Sequence, residues 1–537
     1  MDILITNATV IDGTGAPGYP ADVEIDNGRI TGIHPVSPGH RGPARRVIDA
    51  DGLALSPGFI DMHAHSDLQI LANPDHTAKV TQGVTCEVLG QDGLSFAPID
   101  DTALPAIRQQ IAGWNGEPDD FDFSWRTVAG YLDRLDQGIA CNACYLVPQG
   151  TVRMLVVGPD ARPATAEEVA RMREIVATGM REGAVGMSSG LTYTPGMYAD
   201  DGELTELCRA VAEWGGFYAP HHRSYGAGAL DAYAEMIDVA RRSGCSLHLA
   251  HATMNFEPNR GRAGELLELL DAALDEGVDI SLDTYPYLPG STTLAAILPS
   301  WAFSGGPGEL LRRLATPQDR ARIRHEMEHE GTDGCHGVVV DWNTIQISGV
   351  RNPELGDRVG RTIAELARES GSDPTEFYFD HLIADNLATT ILQHVGHEEN
   401  VQTIMRHRAH TGGSDGILVG DLPHPRAWGT FPRYLARYVR ELGILGLEEC
   451  VHHLTGRAAA RLGLRDRGVV RVGNHADLVL FDPDTVRDEA TFDAPRRPAT
   501  GIPYVFVNGV AVVEEGERTE ALPGRALRRT AEGTRAL

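Results

Sequence analysis

Two histidines one residue apart, His63 and His65, close the stretch Ser56-Pro-Gly-Phe-Ile-Asp-Met-His-Ala-His. With Phe59, Ile60 and Met62 before them, the stretch reads as a buried strand. Strand side chains alternate faces, so both imidazoles point the same way, and at a strand end that lets them share one metal ion. Alone the pattern is weak: with 21 histidines in 537 residues, chance supplies roughly 0.8 such pairs. More ligands at later strand ends would turn it into a site. The chain provides them in Tyr218-Ala-Pro-His221-His222-Arg223, in His248-Leu-Ala-His251 and in Thr411-Gly-Gly-Ser-Asp415-Gly416. Imidazoles suit zinc or another first-row ion, and a carboxylate can serve both as ligand and as proton shuttle. His222 and His248 are read as supports, because they point oppositely to, or lie deeper than, their neighbours.

The elements that must position these residues follow from periodicity. Apolar strands at about 55–62, 84–89, 140–147, 184–188, 217–221, 245–250, 279–285 and 409–414 alternate with amphipathic helices at about 165–182, 203–214, 228–243 and 262–276. Thr165 is placed to cap the first of these helices, with Glu168 as its reciprocal partner. Eight strands alternating with helices predict an α/β fold, a (β/α)8 TIM-like barrel whose C-terminal strand ends face one site. There His63, His65, His221, His251 and Asp415 can converge from distant parts of the chain. The interval from about 288 to 408 is too long for a loop and must hold inserted structure. Both ends of the chain read as β: Ile3-Leu-Ile-Thr and Ala21-Asp-Val-Glu-Ile with an Asn27-Gly28 turn, then Ala476-Asp-Leu-Val-Leu-Phe and Tyr504-Val-Phe-Val broken by Asn508-Gly509. They predict a small β-sandwich domain from 1–57 with 469–537, flanking a catalytic barrel at 58–468.

Composition narrows the partners. Lys plus Arg number 47 against 75 for Asp plus Glu, a net charge of −28, which disfavours nucleic acid and anionic membrane and leaves small molecules. No apolar run approaches the ~20 residues of a membrane helix. The N-terminal Met1-Asp-Ile-Leu-Ile-Thr is not a signal peptide, so a cytoplasmic protein is expected. The seven cysteines are odd in number and scattered, and read as reduced thiols. The lone Cys141-Asn-Ala-Cys144 pair and Cys86 are read as strand packing. Lys79 is the only lysine.

Taken together, these motifs resemble the amidohydrolase superfamily and, within it, the N-acyl-D-amino-acid deacylases. The resemblance spans nearly the whole chain and rests on Asn7-Ala-Thr-Val-Ile-Asp-Gly, Pro57-Gly-Phe-Ile-Asp-Met-His-Ala-His, Asp283-Thr-Tyr-Pro-Tyr, Gly413-Ser-Asp-Gly, His424-Pro-Arg, Gly429-Thr-Phe-Pro-Arg and Ala476-Asp-Leu-Val-Leu-Phe-Asp. It implies that His221 and His251 hold a tightly bound zinc, while His63, His65 and Asp415 surround a second, weaker position. Many members bridge their metals with a carbamylated lysine, but Lys79 falls in an expected helix far from the strand-four end. The deacylases use instead a cysteine in a Gly-Asn-Cys-Gly turn, where this chain has Gly90-Gln91-Asp92-Gly93. Asp92 is therefore expected to bridge, a hard oxygen in place of a soft sulfur that opens the site to Mn²⁺ as well as Zn²⁺. Glu87, inside the preceding strand, is the one close rival.

For the substrate carboxylate, the resemblance implies Tyr285, Ser291 and Arg426. The family's remaining basic residue, two positions after His251, is here Thr253. Arg223 or Arg260 is the expected substitute for that cation. The reaction implied is hydrolysis of a C–N amide bond, the deacylation of an N-acyl-D-amino acid, with Asp415 moving the proton. The alternatives are a cyclic-amide hydrolase of the hydantoinase or dihydroorotase kind, and a non-hydrolytic binding or tailoring protein on the same fold.

Overall fold

In the computed structural model, which describes residues 1–36, 43–118 and 120–536, the eight predicted strands form one parallel sheet. They are β1 Phe59–Asp61, β2 Val84–Leu89, β3 Asn142–Pro148, β4 Gly186–Gly190, β5 Phe217–His221, β6 Ser246–Leu249, β7 Ile280–Asp283 and β8 His410–Thr411, each beside the next in chain order. Backbone bonds from Met62 N to Gly412 O at 3.0 Å, Asp415 N to His63 O at 2.8 Å and His65 N to Gly416 O at 3.2 Å draw the two edges together. The barrel thus closes at the strand ends that carry His63, His65 and Asp415. The helices between strands fall where the periodicity put them, at Ala166–Arg181, Asp201–Glu213, Ala229–Ser243 and Ala263–Asp275. Thr165 Oγ1 accepts the amide of Glu168 at 3.3 Å while Glu168 Oε2 accepts that of Thr165 at 2.8 Å, the reciprocal cap expected.

The sequence run 55–62 is two strands. Ala54–Pro57 pairs with Ile3–Val10 and Leu478–Phe481 in the terminal sheet, whereas Phe59–Asp61 enters the barrel. Gly58 makes the transfer: a Cβ there would stand 2.1 Å from Thr85 Cγ2, so no other residue lets the two layers approach so closely. The expected terminal β-sandwich takes the form of one continuous nine-stranded sheet drawn from both ends of the chain. Asn27-Gly28 and Asn508-Gly509 turn two of its hairpins with positive φ at both positions. The last strand pair, Leu527–Thr530 with Gly533–Ala536, leaves that sheet. Leu527 joins Ile60, Met62, Cys86, Leu146 and Phe217 in a core within the barrel, so the final residues plug the barrel instead of extending the small domain.

The interval after β7 holds a three-stranded antiparallel sheet, Gly290–Thr293, Ile345–Gly349 and Thr390–Gln393, and helices packed on a core of their own that includes Leu310, Ile323, Trp342, Ile347 and Phe379. The helix Glu398–Met405 already packs on the barrel core, so the insertion ends before 398 rather than near 408. All seven cysteines are buried and unpaired. Among the described residues no helix is long and apolar enough to cross a membrane.

Candidate metal centre

His63 and His65 stand just past β1, His221 ends β5, His251 follows β6 and Asp415 follows β8; each is less than a tenth exposed. Asp92 comes from the turn after β2, where Gly90, Asp92 and Gly93 all have positive φ. The turn is pinned from several sides. Gly90 N donates to Asp67 Oδ1 at 2.8 Å, Gly93 N to Ser188 Oγ at 3.0 Å, and Gln91 Nε2 to Met62 O at 2.7 Å.

The pinned turn places Asp92 among four imidazoles. Its Oδ1 lies 3.5 Å from Nε2 of both His63 and His251; its Oδ2 lies 3.4 Å from His221 Nδ1 and 3.6 Å from His65 Nε2. Asp415 Oδ1 sits 3.1 Å from His65 Nε2 and 3.7 Å from His63 Nε2. Two sets of close ligand atoms result, His63–His65–Asp92–Asp415 and Asp92–His221–His251, with Asp92 in both. Glu87 faces elsewhere, bonded to His76 and Ser66.

His221 and His251 are fixed from behind. Thr192 Oγ1 lies 2.7 Å from His221 Nε2 and Tyr225 OH lies 2.9 Å from His251 Nδ1, so the opposite ring nitrogens, 3.0 Å apart, are free to ligate. Asp283, bonded to His248 Nε2 at 3.0 Å, accepts the His251 amide at 3.0 Å. His222 is packed between the rings of Tyr225 and Tyr233, each 4.0 Å away. His222 and His248 thus brace the neighbouring histidines.

The residues fit a divalent cation. Asp92 Oδ1 is buried and has no hydrogen-bond donor, an arrangement that costs free energy unless a cation is its partner. The site's field favours positive charge: burial alone would lower the pKa of His65, yet Asp415 and Asp92 push it up to about 10. Burial would raise Asp92, but His221, His251 and His63 hold it well below the usual carboxylate range. Burial likewise opposes ionisation of Asp415, and Arg426 and His63 outweigh it.

Around the centre opens a cleft lined by Trp114, Tyr193, Thr253, Asn255, Tyr285 and Ser291 among others, with no Lys or Arg among its described lining residues. Arg426 is fully buried behind it, its Nη2 2.9 Å from Asp415 Oδ2 and its guanidinium 4.5 Å from the Tyr285 ring centre. The expectation that Arg223 or Arg260 replaces the missing cation is corrected. Arg223 Nε is held by Glu235 at 2.9 Å, and its Nη1 and Nη2 donate to the carbonyls of Met197 and Ala199, so its donors point away from the cleft. Arg260 is exposed and paired with Glu257 at 2.9 Å. Thr253 does line the cleft, its amide bonded to Tyr233 OH at 2.8 Å.

Trp114, 5.1 Å from His65 ring to ring, and His336, from the insertion, escaped the sequence reading. The long span between β2 and β3 was the available signal, since long loops at the C-terminal face of a barrel build its site. Lys79 lies in the short helix Thr77–Val80 as expected, but it is buried beneath the site, with Nζ 2.6 Å from Asp61 Oδ2 and 2.8 Å from Ser414 Oγ.

Residues 46–513 match the amidohydrolase family model. A D-aminoacylase of Alcaligenes xylosoxydans xylosoxydans is 35% identical over 99% of this chain and 98% of its own. The chain belongs to the amidohydrolase family, in its D-aminoacylase group. Among solved structures, the N-acyl-D-glutamate deacylase of Bordetella bronchiseptica, complexed with zinc and a phosphonate mimic of the tetrahedral intermediate, superposes with a TM-score of 0.83 at 32% identity, covering 98% of this chain and 99% of that one. A D-hydantoinase, at 18% identity and a TM-score of 0.53 over 99% of this chain and 100% of its own, shares the fold alone. This amidohydrolase is therefore an enzyme of the metal-dependent hydrolase class.

Proposed function

We propose that the enzyme deacylates N-acyl-D-amino acids with uncharged side chains, using zinc, one ion or two, with Mn²⁺ as an alternative. The observation that carries this reading is Asp92 shared between two ligand sets, beside a cleft whose lining offers hydroxyls and amides but no Lys or Arg. An acidic amino-acid side chain would find no Lys or Arg among the described lining residues. The seven buried, unpaired cysteines support a reducing, cytoplasmic setting.

Asp92 and the four histidines would hold a divalent ion, whose Lewis acidity would polarise the scissile carbonyl and lower the pKa of the attacking water. Asp415, kept anionic by Arg426, accepts the proton of that water and returns it to the departing nitrogen, so that the amine leaves neutral. Tyr285 and Ser291 hold the carboxylate end of the substrate on the Asp415 side, with the Arg426 guanidinium behind Tyr285 supplying positive charge.

A panel of N-acetyl-D- and N-acetyl-L-amino acids, assayed for released amine with metal content measured in parallel, tests this. N-acetyl-D-methionine should be turned over at least a hundredfold faster than its L enantiomer and than N-acetyl-D-glutamate. Equal rates for D and L, or preference for the glutamate, would overturn the reading.

A further inference from the structure

Beside the metal-centre cleft lies a second cavity that the mechanism does not use. It shares Trp114, Thr192, Tyr193 and Ala296 with the cleft and continues away from it between the segment after β2, the loop after β4 and the insertion. No charged residue lines it among those described; Leu94, Met154, Phe303, Leu310 and Leu387 give it an apolar wall. Trp114 and Tyr193 meet edge to face at 4.8 Å across the join, and Tyr193 OH is tied to Thr292 Oγ1 at 3.0 Å.

Its position relative to the reacting groups assigns its occupant. Asp415, which protonates the departing nitrogen, belongs to the His63–His65 ligand set and lies against Arg426 and, through it, Tyr285, whereas His221 belongs to the other set. The acyl arm of the same amide must leave on the other side. That side is His221, whose ring lies 4.9 Å from Tyr193 and whose Nε2 is 2.7 Å from Thr192 Oγ1, both at the mouth of the second cavity. We infer that this cavity is the acyl subsite and that it selects substrates with a medium-chain aliphatic acyl group over acetyl. The inference rests on the deacylase reading and specifies the acid half of its substrate.

Each methylene moved from water into an apolar pocket is worth up to about a fourfold gain in affinity. Along N-acetyl-, N-hexanoyl- and N-decanoyl-D-methionine, kcat/KM of the purified holoenzyme should therefore rise, by a hundredfold or more from first to last. Ala106→Trp and Met154→Trp fill the cavity from two different helices and touch no residue of the metal centre. Each should flatten the acyl series while leaving the acetyl substrate within about threefold of wild type. A flat series in the wild type overturns the inference. So do variants that slow acetyl and decanoyl substrates equally, or that change selectivity among N-acetyl-D-alanine, -methionine and -phenylalanine instead, which would give the cavity to the amino-acid side chain. If no N-acyl-amino acid is hydrolysed, the deacylase reading fails by itself, and calorimetry with decanoate decides the cavity separately. Binding that both variants abolish upholds an acyl site, and no binding to wild type overturns it.

Discussion

Two buried charge clusters sit one beneath the other at the closure of the barrel, made of similar residues but satisfied to different degrees. In the lower one, Lys79 Nζ reaches Asp61 at 2.6 Å and Glu87 at 3.6 Å, and Glu87 takes His76 Nε2 at 2.7 Å and Ser66 Oγ at 3.3 Å. Burial would lower the pKa of Lys79, but Asp61 and Glu87 hold it raised. Burial would raise Glu87, and His76 and Lys79 hold it lowered. In the upper one, Asp92 Oδ1 lacks a hydrogen-bond partner although it is buried among the imidazoles. The lower cluster carries its cation as a side chain; the upper presents ligands to a cation that must be bound. Full internal satisfaction marks a structural cluster, and aligned but unsatisfied ligand atoms mark a functional one.

The two are mechanically joined. Asp61, gripped by Lys79, accepts the amides of His63 at 3.2 Å and Ser414 at 2.8 Å, the backbone on either side of the closure. The sole lysine thus fixes the spacing between the His63–His65 pair and Asp415.

The largest effect should come from the upper cluster. Asp415→Asn keeps an oxygen that can ligate but cannot accept a proton, so kcat should fall by ~10²–10⁴ with metal content largely retained. A variant keeping more than a tenth of wild-type kcat would end the general-base role. Asp92→Ala should lower metal stoichiometry together with activity, because it removes the one carboxylate common to both ligand sets. Asp92→Cys should recover metal binding through a thiolate. Unchanged metal content in the alanine variant would reduce Asp92 to a turn residue.

Lys79→Met tests the lower cluster and should cost stability instead of ligands. Removing one partner of a buried ion pair leaves the other charge uncompensated, worth about 3–5 kcal/mol. Urea unfolding should show a loss of that order, while folded variant still binds metal with wild-type stoichiometry. Undiminished stability would mean that the His63 and Ser414 amides and the Ser414 hydroxyl suffice to hold Asp61.

What could be read from the sequence follows the same division. The histidines and Asp415 were legible because strand alternation and barrel topology fix where strand-end side chains point, whatever the loops do. Asp92 was legible only beside a family pattern whose cysteine it replaces. Lys79 was placed in its helix, but no periodicity says that a four-residue helix buries its one cation under a distant turn. Trp114 and Tyr193 sit on long connections whose course depends on what they pack against. Gly58 was missed for a similar reason: an uninterrupted apolar run hides a strand that changes sheets at a point where only a hydrogen side chain fits.

The smallest expected effect falls on Arg223, where a cation next to candidate metal ligands in sequence is absent from the site in space. It follows His221 and His222, and in sequence it is the obvious replacement for the charge missing at Thr253. Yet its guanidinium bonds Glu235 and two carbonyls on the far side of the strand end, and it is not among the residues lining the cleft. A side chain whose donors are already taken cannot also grip a carboxylate without breaking those bonds. Arg223→Gln should therefore leave KM for N-acetyl-D-methionine within about twofold. Its stability cost should be about 1 kcal/mol or less, the range of partly exposed ion pairs, since Arg223 and Glu235 keep 28% and 24% side-chain exposure. The same assay on Arg426→Lys sharpens the contrast, because that variant loses the planar fork beside Asp415 and Tyr285. Tenfold weakening of KM at Arg223 with none at Arg426 would reverse the two assignments and move the carboxylate end of the substrate to the His221 side.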